Sequence, residues 1–240
     1  MRILVTGHMG FIGTELMDYL DATGLDIKEG NDIMTCDLPD ADVVIHLAAQ
    51  PGVIHSMKDP VRTVDQNITG TVRLLKRYKD AKFIFASSGG TIQDTILSPY
   101  GMSKYCAEEF VKMMSENYVI LRFANIYGKG SRSVVDKFLN EPMVIYGDGS
   151  ATRTYLFIDD LIEGIIKSLL WEKGTYCFGS DQNYSVLEIA KAINKPYKFS
   201  GKRKGELDHA SLKNTTPNWE SKTDLMEYIE DAISNNSSKK

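Results

Sequence analysis

No run of 18 apolar residues occurs, so nothing in the chain reads as a membrane span. Only three cysteines are present, Cys36, Cys106 and Cys177, and no metal-ligand or redox spacing links them. That pattern excludes a disulfide scaffold and predicts a reduced, cytoplasmic protein with isolated thiols. Positive charge is not in surplus: 28 Lys and Arg stand against 32 Asp and Glu, a formal charge of -4. The balance argues against nucleic acid as the main partner. The start, MRILVTGHMG, turns at once into glycines and polar residues and lacks a signal-peptide pattern. Repeats and low-complexity segments are absent. His46 has no second histidine spaced to share a metal, and the acidic residues form no paired-carboxylate site. His46 lies inside an apolar strand and reads as a satisfied core histidine.

What is there is ordinary in bulk, with 42% apolar and 25% charged residues in 240, enough for one large domain or two small ones. Arg2 to Thr6 reads as a strand, followed by a helix to about Leu20 with Phe11, Leu16 and Leu20 inward. Asp42 to Ala49 is nearly all apolar, as a parallel strand covered on both faces would be. Val61 to Tyr78 reads as a long helix, Lys82 to Ala86 as a strand, Tyr100 to Ser115 as a helix and Tyr118 to Phe123 as a strand. This alternation predicts an α/β fold, a doubly wound, Rossmann-like parallel sheet, over residues 1–128. Residues 129–240 change rhythm. Helices are expected at 131–140, 159–170, 185–193 and 223–235, with strands near 143–146, 153–157 and 175–178. The region is expected to complete the sheet and form a small substrate-binding cap.

Gly7-His-Met-Gly10-Phe-Ile-Gly13 follows a strand and opens a helix. Glycines there permit a tight turn and close approach of backbone to a diphosphate, while the helix start supplies N–H groups. The pattern predicts a dinucleotide site. An acidic residue should follow the second strand, but Thr23 to Cys36 holds too few residues for a full strand, helix and strand. Glu29 and Asp32 are candidates there, equally readable as solvated loop charges; Asp37 is the better one. Lys28 stands alone, so no 2'-phosphate pocket is marked and NAD is favoured over NADP.

The stretch SPYGMSKYCAEE (98–109) places Tyr100 and Lys104 at i and i+4, on one helix face. A phenol ionises near pH 10, and a neighbouring ammonium favours its phenolate. Tyr100 is therefore a candidate general base, and the acid of the reverse step. Ser87 and Ser88 follow the strand KFIFA, where ligands bind in open sheets. A serine there can hold the substrate oxygen.

Together these segments resemble the extended short-chain dehydrogenase/reductase family, in particular its NAD-dependent nucleotide-sugar epimerases and dehydratases. The matching pieces are GHMGFIG (7–13), HLAAQPGVIHSMKDP (46–60), Asn67 with Gly70-Thr71, ASS (86–88), SPYGMSK (98–104), LRFANIYG (121–128), IYGDGSATRTYLFIDD (145–160) and KRKGELD (202–208). The resemblance implies Ser88, Tyr100 and Lys104 as the catalytic trio. It implies that Gly7, Gly10, Phe11, Ile12 and Gly13 meet the cofactor diphosphate, and that Asp37 and Leu38 contact the adenine side. Leu47, Ala48 and Ala49 would line the ribose, with Asn67 behind them, Lys104 on the ribose hydroxyls and Phe123 next to the nicotinamide. For the substrate it implies Ser88, Asn125, Arg153, Arg203 and Glu206; guanidinium groups suit phosphate oxygens. A homodimer through helices 62–78 and 101–115 is implied too.

The chain departs from the family pattern in two shortened segments, 23–36 and 89–97. Family dehydratases typically carry an acidic pair after the catalytic threonine, where this chain has Gly89 and Gly90. The resemblance therefore implies a 4-epimerase of a UDP-hexose or UDP-hexuronate. A nucleotide-keto-sugar reductase and a catalytically weak dinucleotide-binding regulator are the alternatives.

Overall fold

A computed structural model describes residues 1–91, 96–205 and 207–237. The chain divides into two compact units, Met1–Arg122 with Ile165–Tyr176, and Phe123–Gly164 with Cys177–Lys240.

The first unit begins with β1 (Ile3–Thr6), α1 (Phe11–Met17) and β2 (Thr23–Leu25). It continues with β3 (Val43–His46), α2 (Val53–Lys58), α3 (Pro60–Val64) and α4 (Gly70–Arg77). It closes with β4 (Lys82–Ser88), α5 (Pro99–Met114) and β5 (Tyr118–Phe123). The sheet runs β2-β1-β3-β4-β5 and ends on the strand Gly174–Phe178. β2, β1, β3 and β4 pair in parallel, with Ile3 opposite Val43 and Val43 opposite Lys82. The order reverses between β1 and β3. Their carboxyl ends, which lead into the glycine loop and into Leu47, are where a doubly wound sheet binds its ligand.

Burial explains why these strands are almost wholly apolar. Leu4, Val44, Phe83, Phe85 and Ile120 form one core with Leu74 and Leu75 of α4 and Ala107 and Val111 of α5. The expected long helix is continuous from Pro60 to Arg77 but contains a π turn, Asp65–Thr69, between α3 and α4. It starts at Asp59, whose carboxylate accepts the Arg62 N–H, with proline at the first helical turn. α5 starts in the same way: Ser98 accepts the Gly101 N–H at 3.2 Å and Pro99 follows.

The shortened stretch after α1 lacks the further strand and helix that a longer chain would place there. β2 has three residues, and a turn of 3-10 helix, Ile27–Glu29, follows it. The remainder is a loop tied to α4 by Arg73, which donates to the carbonyls of Ile33 and of Cys36 (2.9 Å). A fixed guanidinium satisfies carbonyls that a strand ladder would otherwise have paired.

The second unit contains β6 (Asn125–Tyr127), α6 (Val134–Asn140), β7 (Met143–Tyr146), β8 (Thr152–Phe157) and the start of α7 (Ile158–Ser168), whose residues from Ile165 on belong to the first. After β9 (Gly174–Phe178) come β10 (Asn183–Ser185), α8 (Val186–Ile193), β11 (Tyr197–Ser200), β12 (His209–Ala210) and α9 (Leu225–Ser237). β6, β10 and β12 all pair with β8, and β11 pairs with β7. Tyr127, Phe138, Ile145, Tyr155, Ile189, Leu225 and Ile229 form its core. The expected helices here are present within a few residues. β6, β10, β11 and β12 are additional; each is two to four residues long, too short for a periodicity to be read.

Candidate active site

The glycine loop is a cradle that side chains would fill. A Cβ on Gly7 would lie 2.6 Å from the Ala48 nitrogen, and Gly7 has φ +74°. A Cβ on Gly13 would lie 2.4 Å from the Gly7 carbonyl oxygen. No side chain caps α1 at Gly10, so its first N–H groups stay available, and Phe11 and Ile12 occupy that first turn. These features fit a dinucleotide diphosphate.

Asp26, which the sequence reading did not single out, comes directly after β2. Its carboxylate accepts the Met9 N–H at 3.0 Å and the Lys28 N–H at 2.9 Å, and it is nearly buried beside the loop. The end of the second strand is where dinucleotide folds place the acidic residue for the ribose hydroxyls. The overlooked signal was TGLD: a three-residue strand is enough to end on an aspartate. Asp37 is exposed, Leu38 packs against the core, and Lys28 Nζ donates to Met9 O at 2.6 Å within the same corner.

A buried polar chain stands behind Leu47, Ala48 and Ala49. Thr71 Oγ1 donates to Asn67 O at 2.7 Å, so at 3.0 Å it must accept from His46 Nε2. His46 Nδ1 is then the acceptor for the Thr6 hydroxyl at 2.7 Å. The histidine is neutral, its pKa pushed down to about 3 by burial and then by the Lys104 charge. It is a satisfied core residue, as expected. Asn67, 1% exposed, accepts the Gln50 N–H at 2.7 Å and donates to Ser103 Oγ at 2.8 Å. Ser103 in turn donates to Tyr100 O at 2.8 Å. Asn67 therefore joins the segment after β3 to the helix that bears the tyrosine.

Ser88 ends β4, and Tyr100 and Lys104 occupy the first turns of α5. Tyr100 and Ser88 are both half-buried, and the Ser88 hydroxyl bears on the phenol. Burial holds the phenol above its ordinary pKa, with the Ser88 hydroxyl acting in the opposite direction. Lys104 is 3% exposed; its ammonium donates to Ala86 O at 2.8 Å and lies 4.7 Å from the Phe85 ring centre. Burial lowers its pKa to about 8, against an opposing pull from Glu108. Without a bound dinucleotide, the influences on Tyr100 are burial and Ser88, and the Lys104 ammonium is engaged with a carbonyl.

The remaining expected ligands belong to the second unit. Phe123 packs edge-on to Phe178, with ring centres 5.8 Å apart. Asn125 is exposed and donates to Thr154 O at 3.2 Å. Arg153 donates to Thr152 O (2.7 Å), Leu207 O (2.6 Å) and Asp208 O (3.3 Å), so much of its fork is committed to backbone. The Arg203 guanidinium stacks on Tyr146 at 3.4 Å from the ring centre. Glu206, and residues 92–95 of the shortened 89–97 segment, lie outside the described residues. Among the described residues no three His, Cys, Asp or Glu side chains could hold a metal, and no helix is long and apolar enough to cross a membrane.

A parallel sheet with a glycine cradle at its reversal and a Ser–Tyr–Lys set at its edge defines a dinucleotide-dependent enzyme of the extended short-chain dehydrogenase/reductase type. The model of the NAD dependent epimerase/dehydratase family matches residues 3–176, and the chain belongs to that family. NAD is its cofactor. A UDP-glucose 4-epimerase of Mycolicibacterium smegmatis is 30% identical, with 90% of each chain covered. Their alignment runs to 283 positions, against 240 residues here. The crystal structure of UDP-glucose 4-epimerase from Thermotoga maritima with UDP-glucose is similar with a TM-score of 0.83 at 25% identity, covering 100% of this chain and 99% of that one. UDP-glucuronic acid 4-epimerase from Bacillus cereus, in complex with UDP-glucuronic acid and NAD, gives 0.84 at 27% identity, covering 98% and 100%.

Proposed function

We propose that the protein is a nucleotide-sugar 4-epimerase that acts on a UDP-hexose or UDP-hexuronate through a 4-keto intermediate. The observation that carries this reading is Ser88 at the end of β4 together with Tyr100 and, one turn further along α5, the buried Lys104. NAD, when bound, supplies a hydride acceptor and then a hydride donor for C4 of the sugar. Ser88 holds the 4-oxygen, and Tyr100 takes its proton. At rest the phenol keeps its own proton, because burial raises its pKa. A cationic Lys104 and the positive charge of oxidised nicotinamide both favour the phenolate, which restricts base strength to the loaded enzyme. Tyr100 returns the proton when hydride reaches the other face of the keto sugar.

Gly89 and Gly90 follow Ser88 and supply no side-chain acid or base, which disfavours water elimination. Asp26 and the glycine loop are proposed to hold the adenosine ribose and the diphosphate, and Phe123 to border the nicotinamide. Asn125, Arg153 and Arg203 are proposed for the substrate's phosphates. Exposed Val61, Val64, Tyr105 and Met113 on the helices of the first unit suit a homodimer contact, which light scattering would test.

The deciding experiment uses purified protein without added cofactor. Bound nicotinamide absorbance, with interconversion of UDP-glucose and UDP-galactose or of UDP-glucuronate and UDP-galacturonate, is the expected result. Turnover that needs added NAD(P)H and a keto sugar would replace this reading with a reductase. No turnover under either condition would leave a binding protein.

A further inference from the structure

Glu108 is a carboxylate with 0% exposure that the chemistry above does not use. Burying it is costly unless every lone pair is engaged. Ser87 Oγ donates to its Oε1. Arg122 of β5 donates to Oε1 through Nε at 3.0 Å and to Oε2 through Nη2 at 2.6 Å. Thr91 Oγ1 lies 3.0 Å from Oε1 and 2.8 Å from Ser88 O, sharing its proton between them. Four donors thus meet one carboxylate, more than the single amide oxygen of a glutamine can accept.

Two of those donors flank the catalytic serine: Ser87 precedes it, and Thr91 closes the turn of 3-10 helix that follows it. Tyr100, Lys104 and Glu108 are spaced i, i+4, i+8 along one face of α5. The helix that presents the phenol therefore also grips the turn that presents the serine hydroxyl.

We propose that Glu108 is a positioning residue for the reaction, its carboxylate clamping the Ser88 turn to the helix that carries Tyr100 and Lys104. The proposal rests on the epimerase reading above. It separates two roles of one charge. The first is geometric, through Ser87 and Thr91. The second is electrostatic: Glu108 is the anion that opposes the burial penalty on Lys104. Neutral His46 from β3 and the Phe85 ring of β4 also face this lysine, and Arg122 is the cation facing Glu108 from β5.

The test uses the whole chain in two variants. Glu108→Gln removes the charge, and the double variant Ser87→Ala with Thr91→Val removes the tethers but leaves the Glu108–Arg122 pair in place. Both are expected to lower kcat about 10- to 100-fold, the scale of a small misplacement of reacting groups. KM for the UDP-sugar and the affinity for NAD should stay within about threefold. Glu108→Gln alone should also move the alkaline limb of the pH–rate profile to lower pH by roughly half a unit or more, because Lys104 loses its anion. Tyr100 titration is followed by ultraviolet absorbance against the matching Tyr100→Phe protein, which needs no turnover. Loosening Ser88 should raise the phenol pKa in both variants.

A wild type without epimerase activity would sink the functional reading while the titration still judged the clamp. Should Glu108→Gln fail to fold, the double variant decides. Rates within twofold of wild type together with an unmoved Tyr100 titration would overturn the proposal.

Discussion

The two sides of the sheet's reversal point achieve their ends by different means. On the β2–β1 side the work is done by backbone: three glycines, an uncapped helix start and one aspartate that braces the loop. On the β4–α5 side it is done by polar side chains, half-buried Ser88 and Tyr100 and buried Lys104 and Glu108, the last two held by the Ala86 carbonyl and by Ser87, Thr91 and Arg122. The first side has lost most of a strand and helix, and Arg73 ties down what remains. The second keeps a 16-residue helix with both ends intact. A backbone cradle needs only local shape, so the structure around it can be trimmed. A side-chain constellation needs its helix at full length.

The strongest break of the first side is Gly13→Val. The new side chain would collide with the Gly7 carbonyl and His8 Cα. NAD binding, read by fluorescence titration, should be lost, and urea unfolding should show a cost of about 2 kcal/mol or more. For the second side, Tyr100→Phe should reduce kcat by about a thousandfold while NAD binding stays near wild type. Equal losses in both measurements would show that the two sides are not separable.

Lys104 gives a pH signature that the glycine side lacks. Its folded pKa of about 8 lies below the ordinary 10.5, so the folded chain binds fewer protons there. The penalty is fully present below pH 8 and is relieved as the pH rises towards 10.5, amounting to about 3 kcal/mol. Lys104→Met should therefore be stabilised relative to wild type at pH 7, with the gap closing by pH 10.5, in urea titrations at both values. The smallest effect is expected from Arg73→Met. Loss of its bonds to Ile33 and Cys36 should cost ~1 to 2 kcal/mol, with weaker NAD binding and an unchanged kcat.

Much of this contrast was legible in the residues. The glycine spacing and the Tyr100–Lys104 pair announce themselves because each needs residue types at fixed intervals. The long apolar runs gave the central strands, since a strand covered on both faces cannot alternate. Asp26 was missed because a three-residue strand carries no period, and loop charges such as Glu29 and Asp32 competed for the same role. The Glu108 clamp was hidden for another reason: its partners Ser87, Thr91 and Arg122 are brought together only by the sheet. The commitment of Arg153 to backbone carbonyls is equally a tertiary fact, since nothing in a sequence says which acceptor a guanidinium will reach first.

The π turn at Asp65–Thr69 holds one residue more than an α-helical turn would, and Asn67 sits within it. Removing that residue would swing everything beyond it by roughly 100° about the axis. Either Asn67 would lose its grip on Gln50 and Ser103, or Leu74 and Leu75 would roll out towards water. The bulge is thus a mechanical lock between two demands upon one rod, and a chain already pared elsewhere had no freedom to shed a residue there.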